Sequence, residues 1–233
     1  MSERIGNTRE SAGARKVPRG ARRRMELIDI AERIFLERGF TATTMKAIAE
    51  RAGASKETIY RHFASKELLF AEIVSRKARR ISGSEGALAS KARAETVLLE
   101  FGIGLLRAIL TGEGAFLFRT VVAEVDRAPK LGDLFYERGP GLTAKRLTEY
   151  IAAASRRGEL DCDNPSVAAR LFLGAVVSHY HVRRLVQSGW KPLTDAQIGR
   201  HAEAATSMFL ARYGLQTAVK RRSTGTRTRG GGS

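Results

Sequence analysis

The stretch Thr44-Met-Lys-Ala-Ile-Ala-Glu-Arg-Ala-Gly-Ala-Ser-Lys-Glu-Thr-Ile-Tyr-Arg-His-Phe63 decides how the whole chain is read. Thr43 and Thr44 open a short helix with Met45, Ile48 and Ala49 inward, and Gly53 stops it. Ser55 is a good N-cap for a second helix, Lys56 to about His62, anchored by Ile59 and Phe63. The linker Arg51-Ala-Gly-Ala54 is short enough to set the two helices at a steep angle. The second helix is too short and too polar to be buried all round. Lys56, Glu57, Thr58, Tyr60, Arg61 and His62 are left to project outward, and donors, acceptors and an aromatic there suit base edges in a major groove. Thr43, Thr44 and Lys66, at helix starts, are placed for phosphates. The bland alternative is a three-helix bundle whose polar face meets only water.

Outward from this stretch the spacing stays helical, with no convincing alternating strand. Leu27, Ile28, Ala31, Ile34 and Phe35 mark a preceding helix ended by Gly39, and Ser65 caps a following one carrying Leu68, Leu69, Ile73 and Val74. Gly83-Ser-Glu-Gly86 reads as a break. Longer helices are expected over about 88–111, 114–126, 130–138, 141–157, 165–188 and 194–213. Pro129, Pro140, Pro165 and Pro192 fall between them, and Asn164-Pro165 is a strong start signal. The expectation is an all-α protein with an N-terminal three-helix domain and a larger helical bundle.

The chain has 233 residues, 41 Lys and Arg against 24 Asp and Glu, and a formal net charge of +17. Its length and ordinary apolar content exclude wholesale disorder, and the basic excess points to a polyanion, nucleic acid before membrane. No apolar run reaches transmembrane length, no secretory signal is seen, and the lone Cys162 fits a reducing compartment. Residues 1–24 hold eight basic and two acidic side chains; residues 214–233 hold five basic and none acidic. We read 1–20 as a disordered basic arm tracking phosphates and 214–233 as a solvated basic tail.

Residues 21–81 resemble the DNA-binding domain of the TetR family of bacterial transcriptional regulators. The resemblance lies in Ala31-Glu-Arg-Ile-Phe35, Arg38-Gly-Phe40, Thr43-Thr44 and Ile48-Ala49. It continues in Ala52-Gly-Ala-Ser-Lys56, Thr58-Ile-Tyr60 and His62-Phe-Ala-Ser-Lys-Glu-Leu-Leu-Phe70. It implies a helix-turn-helix over 44–63, within a DNA-binding domain at 21–82, whose third helix enters the major groove. Lys46, Lys56, Glu57, Thr58, Tyr60 and Arg61 then become candidate base contacts. Thr44, Tyr60, His62 and Lys66 become candidate phosphate contacts, with Thr43 and Ser55 in the same DNA-facing set. One departure is Ala64, where the family often has proline.

Residues 113–178 resemble the AefR-like regulatory domain found behind some such units. The resemblance is carried by Phe118-Arg-Thr-Val-Val-Ala-Glu124, Pro129-Lys-Leu-Gly-Asp-Leu-Phe-Tyr-Glu-Arg-Gly-Pro140, Gly158-Glu-Leu160, Asn164-Pro-Ser-Val-Ala-Ala169 and Phe172-Leu-Gly174. It implies a bundle, 83–213, that binds a small effector and forms a homodimer. Ala168, Ala169, Gly174 and Ala175 on one helix, and Ile198, Ala202, Ala205, Met208 and Phe209 on the last, are candidate faces for a four-helix interface. Their alternative is packing within one chain. Candidate pocket residues are Phe101, Leu105, Phe116, Phe118, Arg119, Phe135, Tyr136, Tyr180 and Trp190, since effector sites have apolar walls with a few polar groups.

Catalysis and metals find no support. His179 and His181 point about 200° apart on a helix, Cys162 has no ligand partner at zinc spacing, and Gly102-Ile-Gly104 follows no strand. The expectation is therefore a cytoplasmic, nucleoid-associated homodimer without cofactor. It would bind double-stranded DNA at a near-palindromic operator, as a repressor answering an unidentified small effector, and would touch no membrane. The rival is a basic architectural protein that coats nucleic acid without sequence choice.

Overall fold

Helix α1, Arg19–Arg38, turns Leu27, Ile28, Ala31, Ile34 and Phe35 inward, the face set by their three- and four-residue spacing. Gly39 follows at φ 78°, where a side chain would be strained. The computed structural model describes residues 18–82, 86–187 and 189–215. Most of the expected arm and tail therefore lies outside the described residues, as do residues 83–85 of the break expected at 83–86. Arg19 and Gly20, expected in the arm, already belong to α1.

Helix α2, Met45–Arg51, starts where the Thr44 hydroxyl accepts from the Ala47 N–H at 3.1 Å. Helix α3, Lys56–His62, starts the same way, with Ser55 Oγ accepting from the Thr58 N–H at 3.1 Å. Between them the chain reverses at Gly53, φ 56°, while the Ala54 N–H returns to the Ala49 carbonyl at 2.9 Å. Helix α4, Lys66–Ser82, opens with the Ser65 hydroxyl accepting from Leu68 N–H.

The chain divides into two units at Phe70 and Ala71, within α4. The first has a core of Leu27, Ile34, Ile48, Ile59 and Leu69 around three rings. Phe35 and Phe40 stack at 5.6 Å, and Phe70 meets both edge-on at 5.5 and 5.4 Å. Offset and edge-on contacts suit the aromatic quadrupole and add to simple area burial.

Among the described residues the second unit contains a 3-10 turn at Ala87–Ala89 and six helices. These are α5 (Ala94–Leu110), α6 (Gly112–Glu124), α7 (Pro129–Arg138), α8 (Pro140–Arg156), α9 (Pro165–Val186) and α10 (Asp195–Tyr213). Helix α5 begins six residues later than the spacing predicts. Ser90 Oγ accepts from the Ala92 N–H, a local bond that competes with helix, and the chain is still extended at Arg93. The other five helices agree with expectation to within about two residues. Asn164 and Thr194 cap α9 and α10, the latter in a capping box with Gln197.

Helix α5 lies against α9 and α10, and their core centres on Phe101, Phe172 and Phe209. Gly102 of α5 faces Val176 and Phe172 of α9 and Ala202 of α10, and a Cβ there would meet them in ordinary contact at 3.5–3.8 Å. Among the described residues the only β pairing is one isolated bridge, Leu160 to Gly214. The fold is all-α. No single described helix is long and apolar enough to cross a membrane.

Candidate functional site

In the first unit, α3 is held from beneath by Ile59 and Phe63, 0% and 4% exposed, and presents the remainder of its surface outward. Lys56, Glu57, Tyr60 and Arg61 are exposed, and Lys56 Nζ stands 5.9 Å from the Tyr60 ring centroid. Thr58 is half-buried, its hydroxyl bonded to that of Ser55 at 2.9 Å. Lys46 on α2 is exposed and pairs loosely with Glu50 at 3.7 Å. Thr44 is exposed at the mouth of α2, so its hydroxyl and the first amides face one way.

Thr43 does not belong to this surface. It is 1% exposed, and its hydroxyl donates to the Gly39 carbonyl at 2.6 Å. The neighbouring threonine takes the cap, and one step along the chain puts Thr43 into the core. Lys66 is tied down as well: its ammonium donates to the Phe40 carbonyl at 2.7 Å and sits 4.2 Å over the Phe40 ring. It braces the loop before α2 as much as it offers charge.

Two arginines of α1 join the surface without any motif announcing them. Arg23 donates to the Ala52 carbonyl at 2.7 Å, gripping the turn between α2 and α3, and Arg24 lies 4.8 Å over the Phe63 ring. With Arg61 they surround His62. Burial first, then the charges of Arg61, Arg24 and Arg23, hold its imidazole below the ordinary 6.5. The surface is thus cationic and rich in donors, framed by helix starts. Such a surface suits a duplex, with its backbone phosphates and base edges.

The second unit holds a cavity of about 950 Å³. Leu105, Phe118 and Phe135 line it, as the sequence suggests. The other six pocket candidates do not. Phe101 is 0% exposed in the α5–α9–α10 core, and Arg119 and Tyr136 face outward. Tyr180 and Trp190 stack on each other at 6.4 Å outside the lining, and Phe116 is half-buried but also absent from it. Helical spacing distinguishes inside from outside; it does not distinguish core from cavity.

Thr143 and His181, which the sequence does not single out for a pocket, bring polar groups to the lining. His181 lies three, four and seven residues after Ser178, Val177 and Gly174, all lining residues, so its helical face is the available signal. Phe118 meets the His181 ring edge-on at 4.6 Å, and the buried Nδ1 has no hydrogen-bond partner among the described residues. Burial alone lowers the His181 pKa from 6.5. An unfolded chain then binds the extra proton first. Its contribution to stability is complete above about pH 6.5 and declines as pH falls from there toward the folded value. The urea midpoint is accordingly expected to drop between pH 7.5 and 5.5, and His181→Phe to shrink that drop; an unchanged drop would refute the assignment.

The candidate dimer faces also need correction. Ala168, Ala169, Ile198, Ala202, Ala205 and Phe209 are all buried within the chain's own core. Of the expected residues Met208 on α10 stays exposed, at 60%, and the large apolar residues exposed beside it on α9 are Val167, Leu171, Val182 and Val186. Of the two readings of those stripes, packing within one chain holds for the buried six.

Comparison with known proteins bears on both units. Residues 27–73 match the family model for bacterial regulatory proteins of the tetR family. Residues 96–215, just over half the chain, match the AefR-like transcriptional repressor C-terminal domain. The transcriptional activator FasR of Mycolicibacterium smegmatis is 41% identical over 78 residues, 32% of this chain and only 35% of that protein. A TetR-family regulator structure from Mesorhizobium loti superposes with TM-score 0.72 at 30% identity, covering 85% of this chain and 100% of that one. The flavonoid-responsive regulator FrrA superposes with TM-score 0.66 at 31% identity, covering 84% and 98%. The helix-turn-helix geometry and both family matches agree: the chain belongs to the TetR family of bacterial transcriptional regulators.

Proposed function

We propose that the protein is an effector-responsive repressor that grips a near-palindromic operator as a homodimer. The observation carrying this reading is α3, clamped by Ile59 and Phe63 with Lys56, Glu57, Tyr60 and Arg61 outward. In this reading those residues, with Lys46, Ser55 and Thr58, meet base edges or their surroundings. Thr44, His62 and Lys66 meet phosphates, Arg23 holds the turn, and residues before α1 add charge along the backbone. Two such heads must stand about 34–36 Å apart to read successive major-groove faces, which requires a second copy. The exposed stripe of Val167, Leu171, Val182 and Val186 on α9, with Met208 on α10, is the surface for that copy.

The cavity serves the effector. FrrA, at 31% identity, is named for its response to flavonoids, which supports a ligand site in a bundle of this kind. Helix α4 runs unbroken from Lys66 to Ser82; Leu69 and Phe70 lie on it, and so do the cavity residues Val74, Lys77 and Ala78. A ligand that displaces those later turns moves the same helix that carries Phe70. The protein works in the cytoplasm, at the chromosome.

Selection from a pool of random duplexes tests this. Enrichment of an inverted repeat is expected. Recovery of DNA with no shared sequence would replace the reading with that of a basic protein coating nucleic acid without choice.

A further inference from the structure

Inside the cavity the lining is almost entirely apolar, with Leu105, Leu117, Leu173 and Val177 beside the Phe118 and Phe135 rings. Charge occurs only toward its edge, and there much of it is paired. Lys77 Nζ donates to Glu113 at 2.8 Å, which holds that carboxyl below its ordinary value, and Arg107 pairs with Asp195 at 2.9 Å. Arg80 and Glu100 are exposed to solvent. An anionic ligand at Lys77 would have to separate it from Glu113, and a cationic one there would lie beside Lys77 and Arg107. Arg80 and Glu100 could meet a charged ligand only at exposed positions, where an ion pair is worth little, so the apolar interior offers neither sign of charge a buried partner.

The aromatic wall is specific in shape. Phe118 stands nearly perpendicular to both His181, at 88°, and Phe135, at 83°. Rings at right angles form a corner, which a flat ring fills with one face stacked and one edge against the second ring. A flexible acyl chain would bury similar area but surrender its rotamer freedom for it. Four uncharged polar side chains interrupt this surface: Thr111, Thr143, Ser178 and His181. The Thr111 and Ser178 hydroxyls donate to the Ala108 and Gly174 carbonyls of their own chain, which leaves the hydroxyl of Thr143, 5% exposed, and the imidazole of His181 to face an occupant. The Nδ1 of His181 is buried away from solvent, so Nε2 is the nitrogen an occupant meets.

We propose that the cavity selects uncharged, flat, ring-built molecules carrying a hydroxyl, with that hydroxyl set against His181 and Thr143. The proposal rests on the effector reading of this cavity and specifies its chemistry. The Nε2 of a neutral imidazole accepts from a hydroxyl in one tautomer and donates to it in the other, whereas a hydrocarbon of equal size leaves it unpaired.

Calorimetric titration of the full chain with four probes tests the class: hydroxystilbene, methylstilbene, stilbene carboxylate and dodecanol. Hydroxystilbene is expected to bind at one site per chain, and the other three at least about ten-fold more weakly, the scale of one lost buried hydrogen bond. His181→Phe and Thr143→Val are each expected to shrink the preference for hydroxystilbene over methylstilbene several-fold while leaving affinity for DNA unchanged. The second variant is nearly isosteric and guards against misfolding of the first. Equal or tighter binding of the carboxylate or dodecanol would overturn the ligand class but leave an effector cavity standing. So would a hydroxyl preference that survives both substitutions. Binding of hydroxystilbene that persists in Val177→Trp, or failure of every probe to bind, would overturn the proposal together with the cavity assignment. Tight hydroxystilbene binding that never alters operator affinity would keep the ligand class and reject only its role as effector.

Discussion

Tyr60→Ala is expected to lower affinity for the selected operator by roughly 2–6 kcal/mol, because one reading contact is worth about 1–3 kcal/mol and a dimer loses it twice. Tyr60 is 43% exposed on α3, while the helix is held by Ile59 and Phe63 rather than by this ring. Removing it therefore leaves the fold intact, with stability changed by no more than about 0.5 kcal/mol. Affinity for random duplex should hardly change, since phosphate contacts carry sequence-independent binding. Titration of both duplexes by fluorescence anisotropy separates these effects. An equal loss on operator and random DNA would make Tyr60 a backbone contact. No loss on either would remove α3 from the interface.

This contrast between exposed and anchored residues is legible in the amino-acid order itself. Ser55, Gly53, Ile59 and Phe63 announce the turn and the buried side of α3 through local chemistry alone: a cap, a positive φ, and two apolar residues four apart. Asn164-Pro165 and Thr194 announce α9 and α10 in the same way. Non-local facts are not legible. The stripe Ile198, Ala202, Ala205 and Phe209 has a correct inward face, but periodicity is silent on whether the neighbour is α5 or a second copy. Phe101 and Phe118 have equal claims to a cavity by spacing; only packing sends the first into the core and the second to the lining. Thr43 and Thr44 are neighbours in the non-helical segment before α2, with Thr44 extended, and one step along it exchanges a core hydroxyl for a cap. Arg23 reaches Ala52 across 29 residues, a distance over which no motif speaks.

Phe70→Ala is expected to destabilise the α1–α3 unit by about 3–5 kcal/mol, the cost of emptying a buried aromatic site. Phe70 is 0% exposed and meets both Phe35 and Phe40 edge-on, so the loss is of packing on two sides and not of area alone. The consequence spreads through Phe40. Its carbonyl holds the Lys66 ammonium, its ring lies under the same ammonium, and three residues further on Thr43 closes the loop onto Gly39. With Phe70 gone, Phe40 loses its lateral support and the entry to α2 loosens, and α3 is joined to α2 through the turn at Gly53. A small unit has few kilocalories in reserve, so a loss of this size consumes much of its stability. Hydrogen exchange of individual amides reads the effect directly. Protection in α1 and α2 should fall by about two to four orders of magnitude while that of α5 and α10 amides is retained, since those helices draw their stability from the Phe101, Phe172 and Phe209 core. Specific DNA binding should weaken in step, because a loosened α2 no longer fixes α3. Phe70→Leu, which refills most of the volume, should recover most of both. Unchanged protection in α1 would show that the three-ring cluster is not what holds the reading helix in place.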